Sequence, residues 1–243
     1  MIFTQHIVIP SYLCDIDDRL HTWAAVRVCQ EVTEHHGNAT GIGFYKLLER
    51  NHAWVITRSL YNIYRMPSAF EAIDLNTWSR GNNGLIAMRD YCMTGAYDEQ
   101  LLTGTSYWAM IDMTSRRVVR LTDEIVGYEN HDILATEHAT LDKIKLPDMS
   151  ANAPALQTPA SFAMLDHTRH VNNSEYIKLI FDVLHDKGFD THQPFTLELN
   201  FNLETRLGEQ LTIHHRQIDD THYLQVDNPR ALSVSARVTP IKV

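Results

Sequence analysis

The chain has 243 residues, 44% of them hydrophobic, which is enough apolar material for a substantial core in one large domain or two small ones. A formal charge of -9 at pH 7 excludes a general nucleic-acid binder, which needs a basic face against phosphate. No apolar run approaches the roughly 18 residues of a membrane span, and "MIFTQHIVIP" lacks the basic flank and cleavage site of a secretion signal, so a cytoplasmic location is expected.

In chain order, "HIVIP" predicts a short strand, and Val26, Cys29 and Val32 at three-residue spacing predict a helix over 22–36 with Gly37 as its stop. A short helix over 41–50 follows. The segments "AWVITRSLYNIYR", "AIDLNTWSRG", "IAMRDYCMTG" and "LLTGTSYWAMIDM" are rich in β-branched and aromatic residues and broken by Gly, Asn or Pro, as antiparallel strands are. Residues 136–160 lose the alternation and gain three prolines, which suits a connector.

After it the order repeats. Val171, Tyr176, Leu179, Ile180, Val183 and Leu184 fit a helical period that ends at Gly188. "FTLELNFNLE" alternates with Phe195, Leu197, Leu199, Phe201 and Leu203 on one face, and "EQLTIHHRQ", "HYLQVDN" and "ALSVSARVTP" extend the sheet. The expected fold class is α+β: two copies of a helix packed on an antiparallel sheet, over 1–135 and 161–243.

Between connector and second helix, "LDHTRHVNN" concentrates polar chemistry. In an extended approach to the helix, Asp166, Thr168 and His170 share one side of the chain. Asn172, Asn173 and Ser174 stand where an N-cap is expected, and a helix N-terminus suits a developing oxyanion. The same residues also make ordinary Asx turns and caps. His170 can exchange a proton near neutral pH, while Asp166 can orient it, repel it or attack directly. A metal set of His167, His170 and Glu175 is disfavoured, because His at i and i+3 face together only on a helix. "DIDDRLHTW" is a faint echo of the cluster, with Asp17 four residues before His21. The three cysteines, Cys14, Cys29 and Cys92, are widely spaced and suggest neither a disulfide framework nor a thiolate zinc site.

"D-x-T-x-HVNN-x-x-Y" before a helix resembles the D-x-N-x-HVNN-x-x-Y motif of the acyl-[acyl carrier protein] thioesterase family. "WVITR", "DLNTW", "RDY" and "SYWAMIDMTSRR" are similar to that family's first half, in order and at similar spacing. The resemblance implies two tandem hot-dog units and hydrolysis of a fatty acyl thioester on the carrier's phosphopantetheine arm, with no cofactor and no metal. It carries the family's catalytic Asp onto Asp166, its His onto His170 and its Asn onto Thr168. The family's Glu-Cys pair falls on Glu204 and Thr205, so a Cys-His nucleophile is absent and Asp166, Thr168, His170 and Glu204 are the candidate catalytic residues. It also implies an acyl pocket in the first unit, with Val32, Trp54, Ile56 and Trp108 as candidate walls. The carrier is acidic and so is this chain, so docking needs local basic groups, for which Arg116, Arg117, Arg120 and Arg169 are candidates. Alternatives are an acyl-CoA thioesterase or dehydratase on the same fold, or a non-catalytic acyl-chain binder; association as a homodimer is open.

Overall fold

The computed structural model describes residues 2–122, 131–150 and 153–242. The first half supplies β1 (Phe3–Val8), α1 (Thr22–Ala39), α2 (Phe44–Leu48), β2 (His52–Ile63), β3 (Ala72–Asn82), β4 (Ile86–Thr94), β5 (Gln100–Asp112) and β6 (Val118–Val119). The second supplies β7 (Leu156–Pro159), α3 (Asn173–Asp186), β8 (Phe195–Phe201), β9 (Gln210–Ile218), β10 (Thr221–Asp227) and β11 (Leu232–Pro240). These strands form one 11-stranded sheet in the order β1-β3-β4-β5-β2-β8-β11-β10-β9-β7, with β6 paired to β5. Antiparallel pairing of β2 with β8, from Arg58 opposite Asn200 to Ile63 opposite Phe195, joins the halves into a continuous surface.

The expected alternation is visible in β8, where Phe195, Leu197 and Leu199 are fully buried. They meet Tyr176, Ile180 and Leu184 of α3 in a core that also takes in Leu20, Val26, Cys29, Val32 and Tyr91 of the first half. The two units therefore share one apolar core, with α1 packed against α3.

Three expectations are corrected. α1 runs past Gly37 to Ala39, because Gly37 serves close approach rather than a stop: a Cβ there would lie 3.3 Å from Gly43 Cα. α2 is shorter than expected; the Phe44 amide at its start donates to Glu34 Oε1 at 2.7 Å. Within the connector, Leu156–Pro159 pairs with β9 as an edge strand, and 136–150 is fastened across the sheet. There Arg58 Nη1 donates to Leu141 O (2.6 Å), Leu141 N to Tyr107 Oη (2.9 Å) and Ile144 N to Asn200 Oδ1 (2.6 Å), so side chains of three neighbouring strands satisfy its backbone. Connector residues 151 and 152 lie outside the described residues. Among the described residues, no helix is long and apolar enough to cross a membrane.

Candidate active site

The polar cluster is a closed turn, not an extended approach. Leu165 and Val171 form a bridge, Asp166 N donates to His170 O at 3.0 Å, and Arg169 takes the left-handed conformation at φ 65°. The turn still gathers the three expected side chains. Asp166 Oδ1 accepts from Thr168 N (2.8 Å) and Thr168 Oγ1 (2.5 Å), and Thr168 Oγ1 lies 3.5 Å from His170 Nδ1. Asn172 caps α3, its Oδ1 accepting from Ser174 N at 3.0 Å, while its Nδ2 donates to Asp166 Oδ2 at 3.4 Å.

Glu204 arrives from the segment after β8, because Val171 N donates to Thr205 O at 2.9 Å and holds that segment against the turn. His170 Nε2 then lies 3.1 Å from Glu204 Oε1. Arg206 Nη2 reaches the same oxygen at 3.3 Å, and Arg116 contacts Oε2 from the far half of the chain. Burial pushes the His170 pKa below its ordinary value; Glu204 and Asp166 oppose that shift, and Arg116 and Arg206 add to it. The imidazole is therefore neutral at pH 7 and competent as a base.

These groups open onto a cavity of about 1040 Å³. Its apolar wall includes Ile42, Trp54, Ile56, Trp108, Ile111 and Phe201, and its polar lining includes Arg116, Asp166, Thr168, His170 and Glu204. Of the candidate acyl-pocket residues, Trp54, Ile56 and Trp108 line this cavity. Val32 does not line the cavity; it is fully buried in the shared core. Thr205 is also fully buried, its hydroxyl 3.1 Å from Ser233 Oγ, and none of the three cysteines lines the cavity. Burial drives the Cys29 thiol up to about 12. The disfavoured metal set is separately engaged: His167 packs on Phe44 with ring centroids 4.0 Å apart, and Glu175 pairs with Lys178 at 2.9 Å.

Among the lining residues are Arg89, part of the "RDY" string, and Arg116, a candidate for carrier docking. Arg89, 5% exposed, donates to His36 Nδ1 (3.0 Å) and Thr77 Oγ1 (3.1 Å) behind the wall. Arg116, expected on a docking surface, is engaged with Glu204, 88 residues away in sequence; no local spacing signals that contact. Arg116, Arg117, Arg120 and Arg169 are all exposed.

The first half contains the same turn without the same chemistry. Cys14 bridges Leu20, Asp15 N donates to Arg19 O at 2.8 Å, and Asp17 N donates to Asp15 Oδ1 at 2.9 Å. Leu20 N donates to Pro67 O at 2.9 Å, as Val171 N does to Thr205 O. This register sets Asp15 against Asp166, Arg19 against His170, His21 against Asn172 and Met66 against Glu204. His21 is the N-cap residue of α1, with its ring stacked on Trp23, so the echo in "DIDDRLHTW" was out of register. Arginine does not exchange protons near neutrality, and Met66 offers no carboxylate, so the first half lacks the acid-base pair.

Residues 1–128 match the family described as Acyl-ACP thioesterase N-terminal domain, and residues 151–234 the Acyl-ACP thioesterase C-terminal domain. The chain is 26% identical over 219 residues to the palmitoyl-acyl carrier protein thioesterase of Gossypium hirsutum, an alignment covering 84% of this chain and 52% of that protein. It is 28% identical over 213 residues to the dodecanoyl-[acyl-carrier-protein] hydrolase of Umbellularia californica, covering 82% of this chain and 55% of that one. The chain thus spans about half the length of these curated relatives. The solved structure of an acyl-ACP thioesterase from Bacteroides thetaiotaomicron superposes with a TM-score of 0.85 at 21% identity, covering 98% of this chain and 97% of that one. The fold is accordingly α+β, built of hot-dog units on a shared antiparallel sheet.

Proposed function

The chain belongs to the acyl-ACP thioesterase family, and from that membership we propose that it hydrolyses fatty acyl-ACP thioesters to free fatty acid and carrier thiol. The observation that carries this reading is the contact of His170 with Glu204 beside the Asp166-Thr168 pair, at the wall of a mainly apolar cavity. The half over 1–135 holds the acyl chain and the half over 161–243 carries out the chemistry. With Nε2 facing the Glu204 carboxylate, the ring proton belongs on Nε2 and Nδ1 is left to accept a proton from water. That water adds to the thioester carbonyl. The oxyanion develops near the start of α3, whose Asn173 lines the cavity and whose N-terminus presents the positive end of the helix dipole. Collapse breaks the C–S bond, and the proton held by His170 passes to the leaving thiolate. Water rather than Asp166 is the nucleophile in this scheme, because both Asp166 oxygens already accept hydrogen bonds from Thr168 and Asn172.

A panel of short to long acyl chains, each on ACP and on CoA and scored for free acid, tests the reading. Higher kcat/KM on ACP supports it; a preference for CoA transfers the function to the acyl-CoA alternative. Unpaired cysteines suit the reducing cytoplasm in which we place the enzyme.

Thr168 occupies the family's asparagine position. Thr168→Val removes the hydroxyl that donates to Asp166 and should lower kcat about tenfold, the scale of one charge-assisted hydrogen bond. Thr168→Asn, which restores an amide donor, should keep or raise kcat. Full activity in the Val variant would assign position 168 a structural role only.

Carrier docking rests on the exposed Arg116, Arg117, Arg120 and Arg169, of which Arg116 is also engaged with Glu204. Raising ionic strength from about 0.01 M to about 0.15 M shortens the screening length from about 30 Å to about 8 Å, and should raise KM for acyl-ACP but not for a small uncharged acyl ester. Charge reversal of Arg117 with Arg120 should do the same. Identical behaviour of the two substrates would remove this docking surface.

A further inference from the structure

Asp166, Thr168, His170 and Glu204 all belong to the second half, yet the carboxylate beside His170 is held from the first. Arg116 contacts Glu204 Oε2, while His170 Nε2 lies 3.1 Å from Oε1, so the two oxygens are engaged by residues from the two halves of the chain. Arg116 stands on a built support. It follows β5 in a turn at φ 58°, closed by Arg116 N donating to Asp112 O at 2.8 Å and Asp112 N to Arg117 O at 2.9 Å. Asp112 Oδ1 accepts from Ser115 N at 2.7 Å, and Asp112 Oδ2 from Asn51 Nδ2 at 2.8 Å, tying the turn to the start of β2. Arg206 cannot replace this grip. It is 62% exposed, lies two residues from Glu204, and reaches only the oxygen that His170 already uses.

We propose that Arg116 is a positioning residue of the thioesterase reaction, which fixes the Glu204 carboxylate so that its other oxygen orients His170. The constellation is complete only when the turn after β5 is seated against the second half. This role rests on the thioesterase reading above.

Arg116→Gln should lower kcat about 10- to 100-fold, the scale on which misplacement of a reacting group acts. KM for a small uncharged acyl ester should stay unchanged. The charged groups facing His170 are Glu204, Asp166, Arg116 and Arg206. Removing the Arg116 charge makes protonation of His170 easier, so the acid limb of the kcat profile should move to higher pH. Arg116→Lys keeps the charge without the planar fork; it should retain the wild-type acid limb with a reduced kcat, and it serves if the Gln variant does not fold. In a double-mutant cycle on kcat, adding Arg116→Gln to Glu204→Gln should cost little more than Glu204→Gln alone.

Wild-type kcat and acid limb in both Arg116 variants would overturn the proposal. So would a rise in KM for acyl-ACP with kcat on the small ester unchanged, which is the signature of docking alone. Independent, additive losses in the cycle would also overturn it. A wild-type protein that releases no acid from any thioester removes the enzyme reading and this role with it, whereas an active wild type with indifferent Arg116 variants removes this role only.

Discussion

His170→Ala is expected to lower kcat on acyl-ACP at least about a hundredfold, the usual scale for loss of a general base, in a protein that remains folded. His170 lines the cavity and is not part of the buried core, so its removal leaves the packing of α3 on β8 in place. In the wild type, its depressed pKa means that it stays neutral to lower pH than an ordinary histidine. Activity should therefore be present above that pKa and be lost as pH falls through it, with the acid limb below about 6.5. His21→Ala is the control, because His21 occupies the N-cap position of α1 and matches Asn172 in the repeat. It should turn over at nearly the wild-type rate. Comparable losses in both variants would mean that the chemistry had been assigned to the wrong half.

Glu204→Gln is the second large effect. Glutamine keeps the shape but removes the charge that meets His170, Arg116 and Arg206, so kcat should fall about 10- to 100-fold with little change in KM. The pH profile adds a sign. Glu204 favours protonation of His170, so its neutralisation should move the acid limb to lower pH, opposite to the shift expected for Arg116→Gln. Measurement of kcat from about pH 4 to 9 for both variants separates an electrostatic role from a merely structural one, which would move neither limb. An unchanged kcat in Glu204→Gln would exclude it from the machinery.

The parts of this arrangement legible in the sequence are those written in short range. The alternation of "FTLELNF" places Phe195, Leu197 and Leu199 on the buried face of β8, because a period of two has one structural meaning. Asp166, Thr168 and His170 lie within five residues of one another, so any compact local conformation brings them together. The actual one is a turn with Arg169 in the left-handed region, which apolar periodicity does not encode. Long-range partners were less legible. Gly37 has the look of a helix stop in sequence, but its missing Cβ serves the close approach of Gly43, which is not a sequence neighbour. "LQTP" is too short to read as a strand and becomes one only through pairing with β9. Val32 is a pocket candidate only through the family resemblance; its three-residue spacing with Val26 and Cys29 fits the core position that it takes. Arg116 read as a surface charge because its partner stands 88 residues further on.

The central claim is that this cavity and its His170-Glu204 pair turn over acyl-ACP. Multiple-turnover reaction of a fatty acyl-ACP, with free acid and free carrier thiol counted per enzyme, tests it most directly. The expected result is release of both products in equal amounts, over many equivalents of enzyme, at a rate that His170→Ala reduces at least about a hundredfold. Binding of acyl-ACP with at most one equivalent of acid released, or turnover that His170→Ala leaves unchanged, would contradict it.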